Sequence, residues 1–137
     1  MTISTAESCT SGSLATILTS FPGSSDYFEG GIIAYSNKVK INQLGVSVDD
    51  IQKYSAVCEK VAKQMAEGVR ANLKTDYAIA TTGYAGPKGE RVGQVFVALA
   101  SSKKTIIKEY FFKGNRKEII YKAVCETLAI LLREIKN

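Results

Sequence analysis

The chain has 137 residues, 45% of them apolar, no histidine, and a net charge of +5 from 18 basic and 13 acidic side chains. That length and apolar fraction predict one globular domain, residues 1–137, and exclude wholesale disorder. The basic excess is dispersed, densest at Lys103-Lys104 with Lys108 and at Lys113 with Arg116-Lys117; no nucleic-acid partner is expected, whereas a phosphate-bearing small substrate suits the charge.

In chain order, Thr2–Thr5 reads as a short strand, and residues 12–20 as a helix that stops before the turn signal Phe21-Pro22-Gly23. Gly30-Gly31 precede Ile32-Ile33-Ala34-Tyr35, which reads as a buried strand. Lys38 to Leu44 reads as a short helix closed by Gly45. Val48 to Tyr54 reads as another, with Ser47 as its N-cap. In 59–73 the apolar residues Val61, Ala62, Met65, Ala66, Val69 and Leu73 recur at helical spacing. Tyr77 to Thr82 is a strand, and Gly83 to Gly93 a loop with four glycines and Pro87. Val95–Ala100 and Thr105–Phe112, joined by a short polar stretch, predict an antiparallel hairpin. Residues 115–135 form a long amphipathic helix, with Asn115 and Glu118 in a capping-box pattern. Helices between the early strands and a late hairpin predict an α/β fold: a three-layer α/β/α sandwich over a mixed sheet of about five strands.

The three cysteines, Cys9, Cys58 and Cys125, include no Cys-x-x-Cys pair. A disulfide framework is not expected, and a reducing cytoplasm is the expected location. With no histidine and three scattered cysteines, no metal site is expected. No apolar run reaches the length of a membrane span, and no secretory signal is recognisable, so no membrane partner is expected.

Three loops should open at the sheet ends, where open α/β sheets bind ligands. The first, 6–13, carries Glu7, Ser8, Thr10, Ser11 and Ser13. The second, 35–40, carries Tyr35, Ser36, Asn37, Lys38 and Lys40. The third opens with Thr82-Gly83. A serine where a strand turns into a helix can attack an acyl or phosphoryl centre, with unpaired helix N–H groups receiving the developing charge. Without histidine its base must be something else, and lysine is the leading candidate. The plainer readings are that Ser8 caps the helix, that Tyr35 packs in the core, and that Lys38 and Lys40 are solvated. Cys9 reads as a small packed side chain. Arg116, at a helix start where a cation is unfavourable, suggests an anionic partner.

These residues belong to an ordered series of blocks. They run Ala6-Glu7-Ser8-Cys9-Thr10, Pro22-Gly23-Ser24-Ser25, Gly30-Gly31, Tyr35-Ser36-Asn37 with Lys40, Leu44-Gly45-Val46, Thr82-Gly83, Ala85-Gly86-Pro87, Val92-Gly93 and Gly114-Asn115-Arg116. The series resembles the CinA C-terminal domain family, whose characterised enzymatic members are nicotinamide-nucleotide amidohydrolases. The resemblance implies hydrolysis of the carboxamide of nicotinamide mononucleotide to nicotinate mononucleotide and ammonia, with no cofactor. By the family motif, Ser8 is the nucleophile and Lys40 its base, and Tyr35 is expected with them among the catalytic residues. Thr10, Thr82, Gly83 and Arg116 are the expected substrate-binding residues, Arg116 near the substrate's charge.

The chain departs from the family pattern at several places. Thr10-Ser11-Gly12 stands where relatives have Thr-Gly-Gly, which strains Ser11 if a positive φ is needed there. The loop after Pro87 is short. Ile120-Tyr121 replaces a basic pair. The helix that usually precedes the first strand is not seen, which leads to the expectation of a homodimer or higher homo-oligomer covering that face. The alternative function is a weak or inactive module of the same family, binding a nucleotide or serving in assembly. A different amidohydrolase on the same scaffold is a third reading.

Overall fold

The computed structural model describes residues 1–136. β1 (Ile3–Glu7), buried along its whole length, pairs in parallel with β2 (Phe28–Ile33) on one side and with β3 (Tyr77–Gly83) on the other. β4 (Gln94–Ser101) is antiparallel to β3, and β5 (Thr105–Phe111) is antiparallel to β4. The sheet order is therefore β2-β1-β3-β4-β5, the five-stranded mixed sheet with a late hairpin that was expected.

The two faces of the sheet differ in side-chain size. Ala6, Ala78, Ala80, Ala98 and Ala100 line one face; Ile3, Ile79, Val95, Val97 and Leu99 line the other. The alanine face lets α4 (Glu59–Leu73) lie close, with Val61, Met65 and Val69 fully buried against it. Truncating Met65 to alanine would cost about 2–5 kcal/mol, the usual range for a buried methionine. α2 (Asn37–Leu44) and α3 (Val48–Tyr54) sit on the same side. The larger residues of the opposite face meet α1 (Ser13–Leu18) and α5 (Arg116–Lys136). These are the three layers.

Local chemistry sets most helix ends. The Ser47 hydroxyl accepts from Asp50 N at 3.1 Å and caps α3, and Gly45 closes α2 with φ 71°. Asn115 and Glu118 exchange reciprocal side-chain bonds of 2.9 and 3.0 Å at the start of α5, completing the capping box. One glycine in α4 matters for the site. A Cβ on Gly68 would stand 2.1 Å from the Leu44 carbonyl oxygen, so only glycine lets α4 approach the end of α2 this closely.

The second strand differs from expectation. It spans Phe28–Ile33 rather than Ile32–Tyr35, and it is an edge strand whose side chains are alternately half-buried and exposed. The glycine pair lies inside the strand rather than ahead of it. A Cβ on Gly31 would meet the Thr5 hydroxyl at 2.1 Å, so Gly31 marks a close strand contact. The first strand also runs two residues further than expected, to Glu7, and α1 is shorter than the predicted 12–20. Between α1, β2 and α5 the sheet is incompletely covered. A groove of about 890 Å³ opens there, bordered by Ile17, Ile33, Ile120 and Tyr121.

Candidate active site

The chain crosses from β1 to β2 through α1 on one face, and from β2 to β3 through α2, α3 and α4 on the other. β1 thus has its two parallel neighbours connected on opposite faces, and its carboxyl end is the switch point where open α/β sheets place ligands. Ser8 is the first residue past that end. Its N–H bonds Thr81 O at 3.0 Å, anchoring it beside β3.

Lys40 reaches Ser8 from α2. The Ser36 hydroxyl caps that helix by accepting from Val39 N at 3.2 Å, which places Lys40 one turn in. Its ammonium donates to Ser8 Oγ at 3.0 Å and to the Tyr35 carbonyl at 3.2 Å. Lys40 is 2% exposed. Burial lowers its pKa below the ordinary 10.5, and the only opposing influence is a charged Cys9 thiolate. Burial in turn pushes the Cys9 thiol up to about 11. At neutral pH that thiolate is absent, and burial remains the first influence on the amine. Lys38, two residues away, is exposed. The arrangement is a serine hydroxyl against an amine biased toward its neutral form.

The two side chains open into a cleft of about 470 Å³ that is also lined by Tyr35, Thr82, Gly83, Lys88 and Arg116. Among the described residues no carboxylate lines it, while Lys88 and Arg116 stand in it as cations beside the Lys40 amine. Tyr35 is 59% exposed; its ring stands in the cleft wall rather than in the core. Arg116 donates to the Tyr35 hydroxyl at 3.1 Å and to the Gly86 carbonyl. Among the described residues this awkwardly placed arginine is thus met by a phenol and a carbonyl, and by no carboxylate. Thr82 donates to Ala56 O at 2.8 Å and ties the segment before α4 to the end of β3. Gly83 packs so closely on β4 that a Cβ would meet Val95 at 2.7 Å.

Thr10 stands apart from the other expected substrate-binding residues. It is wholly buried and does not line the cleft; its hydroxyl donates to Glu7 Oε1 at 2.7 Å and lies 2.8 Å from the Thr81 hydroxyl. The start of α1 also differs from expectation. Its N-cap position is Gly12, with no side-chain cap, and Ser8 does not cap it. Glu7 does so from the end of β1, accepting from Leu14 N at 2.8 Å and from Ala15 N at 3.1 Å. Those helix N–H groups are occupied and do not face the cleft as oxyanion donors. Sequence reasoning placed Glu7 in the loop without a role; the available signal was a lone acidic residue at a strand end just ahead of a helix. Ser11 does take a left-handed conformation, φ 41°, yet the Ser8–Lys40 pair stands assembled beside it.

The fold and site together define an open α/β sheet with a serine hydroxyl and a buried lysine amine in contact at its switch point, the amine standing where imidazole is commoner. The chain belongs to the CinA C-terminal domain family, whose model matches residues 1–135. It is 44% identical to a CinA-like protein of Flavobacterium psychrophilum over 98% of its own length and 33% of that protein's. It therefore spans about a third of the curated relatives it matches. Among solved structures it is similar to competence damage-inducible protein A of Klebsiella pneumoniae, with TM-score 0.95, 33% identity, and coverage of 99% of this chain and 87% of that one. A competence/damage inducible protein of Agrobacterium tumefaciens matches with TM-score 0.94 and 34% identity, over 97% of this chain and 84% of its own.

Proposed function

We propose that this chain hydrolyses the carboxamide of nicotinamide mononucleotide, giving nicotinate mononucleotide and ammonia through a serine–lysine mechanism. The observation that carries the reading is the 3.0 Å contact between Lys40 Nζ and Ser8 Oγ, made by a buried lysine whose pKa burial lowers.

In the reactive state the neutral Lys40 amine accepts the Ser8 proton as Oγ attacks the carboxamide carbon. The resulting ammonium returns that proton to the departing nitrogen, and ammonia leaves an acyl-Ser8 ester. Water, deprotonated by the same amine, then attacks the ester; the Lys40 ammonium returns that proton to the departing Ser8 Oγ, and the acid released ionises to the carboxylate. The surplus of cations in the cleft supports an anionic substrate. Arg116 has fork donors beyond its two internal bonds, and we assign it to the phosphate, with the Tyr35 ring alongside. Thr82 and Gly83 also line the cleft.

The test is direct. Purified protein incubated with nicotinamide mononucleotide should release ammonia and nicotinate mononucleotide in equal amounts, and Ser8→Ala should release neither. Tight binding of the nucleotide without turnover would replace this reading by the binding-module alternative. Turnover of other carboxamides in preference to this one would move it to a different amidohydrolase.

A further inference from the structure

We propose that Glu7 is a positioning residue for the nucleophile: its buried carboxylate braces the loop that carries Ser8 at two points. The inference rests on the reading of Ser8 as nucleophile given above.

Glu7 is 1% exposed, and among the described residues no cation pairs with it. A buried carboxylate of that kind persists only where hydrogen bonds replace water. Three do so here. Oε1 accepts from the Thr10 hydroxyl at 2.7 Å and from Leu14 N at 2.8 Å, and Oε2 accepts from Ala15 N at 3.1 Å. The segment between these contacts is Ser8–Gly12. Its own backbone bonds are few: Ser11 N to Ser8 O at 3.1 Å and Ser13 N to Thr10 O at 2.9 Å. Two of its residues, Ser11 and Gly12, hold positive φ, 41° and 104°. A short loop with a strained residue keeps one shape only if its surroundings over-determine it. Glu7 supplies that constraint through Thr10 in the middle of the loop and through α1 at its end. Thr10, having given its proton to Glu7, accepts from Thr81, so the brace continues into β3. Ser8 N–H meets the carbonyl of that same Thr81. The carboxylate never touches the cleft; it acts on the reaction only through where it holds Ser8 Oγ relative to Lys40.

Glu7→Gln keeps the volume and one carbonyl acceptor but turns an NH₂ group toward an N–H or a hydroxyl. Displacing a reacting atom by an ångström costs on the order of 10²-fold in rate. The assay pairs nicotinamide mononucleotide hydrolysis with phosphonylation by a fluorophosphonate, in which Ser8 Oγ bonds phosphorus, fluoride departs and Lys40 takes the proton. Glu7→Gln should lower both kcat and the phosphonylation rate by roughly 10²-fold. KM should stay within about twofold, because Arg116 is untouched. The acid limb of the pH profile should not move, since Glu7 does not contact Lys40. Thr10→Val, which leaves both α1 contacts in place, should slow phosphonylation in the same direction and carries the test should Glu7→Gln fail to fold. Thr127→Ala, which removes the buried hydroxyl bonded to Ala123 O in α5, controls for lost stability alone and should keep the wild-type rate.

Wild-type phosphonylation rates in folded Glu7→Gln and Thr10→Val would overturn the proposal. So would a shifted acid limb with an unchanged maximal rate, which would make Glu7 an electrostatic tuner of the lysine instead. Should the wild type phosphonylate at Ser8 yet leave the nucleotide intact, the substrate reading fails while the phosphonylation comparison still decides the role of Glu7. Failure of the wild type to phosphonylate would overturn both.

Discussion

Replacing Lys40 by methionine separates catalysis from stability in this molecule. Methionine fills nearly the same volume without the amine. Loss of a general base costs roughly 10²–10⁴-fold in rate, equivalent to about 3–5 kcal/mol of transition-state stabilisation. Stability should move the other way. Burial lowers the Lys40 pKa below its ordinary 10.5, so between those two values the unfolded chain holds more protons than the folded one. Wild-type stability therefore rises with pH through that window and is fullest above the unfolded value; at lower pH the buried, unpaired ammonium is a cost. The methionine variant lacks this slope. It should melt above the wild type at low pH, with the gap closing as pH rises. Lys40→Arg, which keeps a charge that cannot be given up, should be as inactive as the methionine variant. The assay is ammonia release from nicotinamide mononucleotide between about pH 6 and about pH 10, with thermal melts at the same pH values; wild-type activity should fall on the acid side as Lys40 becomes protonated. Retention of more than about a tenth of wild-type kcat by the methionine variant, or an active arginine variant, would refute Lys40 as the base.

Ser8→Ala should abolish hydrolysis without changing the fold, whereas Cys9→Ala should leave the rate near normal; the reverse pattern in kinetics and circular dichroism would move the nucleophile to Cys9. Because burial holds the Cys9 thiol near 11, alkylation at mildly basic pH should label the exposed Cys125 and spare Cys9, as peptide mapping would show. Arg116→Ala should raise KM for the nucleotide more than it lowers kcat, since a phosphate contact is equal in ground and transition states; unchanged kinetics would remove Arg116 from the binding site. Ser11→Gly should raise stability by about 1 kcal/mol by relieving the left-handed residue at φ 41°, read as a higher melting temperature, and a drop instead would mean the serine side chain more than offsets the strain.

Where the controlling interaction is local, sequence and structure agree closely. The range 59–73 matches α4 residue for residue, because a period of 3.6 in apolar side chains has one solution. Ser47 and the Asn115–Glu118 pair cap the helices they were expected to cap, since a cap bonds only two or three residues ahead. The late hairpin follows from two apolar runs and a short polar link. The choice of Lys40 over Lys38 came from the family motif, and helix geometry explains it, as residues two apart point in different directions.

Sequence alone determined the α/β class, the family, the three loops that meet at one cleft and the serine–lysine candidates within it. The tertiary structure decided the rest. It made β2 an edge strand with its glycines inside, because periodicity reports which residues are buried and not which strand lies alongside. It withdrew Thr10 from the cleft and gave α1 its cap from Glu7, seven and eight residues before the N–H groups it meets. It set Arg116 against a phenol and a carbonyl 81 and 30 residues away in sequence. It stripped the water from Lys40, the one change that gives an ordinary lysine a reason to act as a base, and that desolvation is a property of the packed surroundings, which no single residue carries.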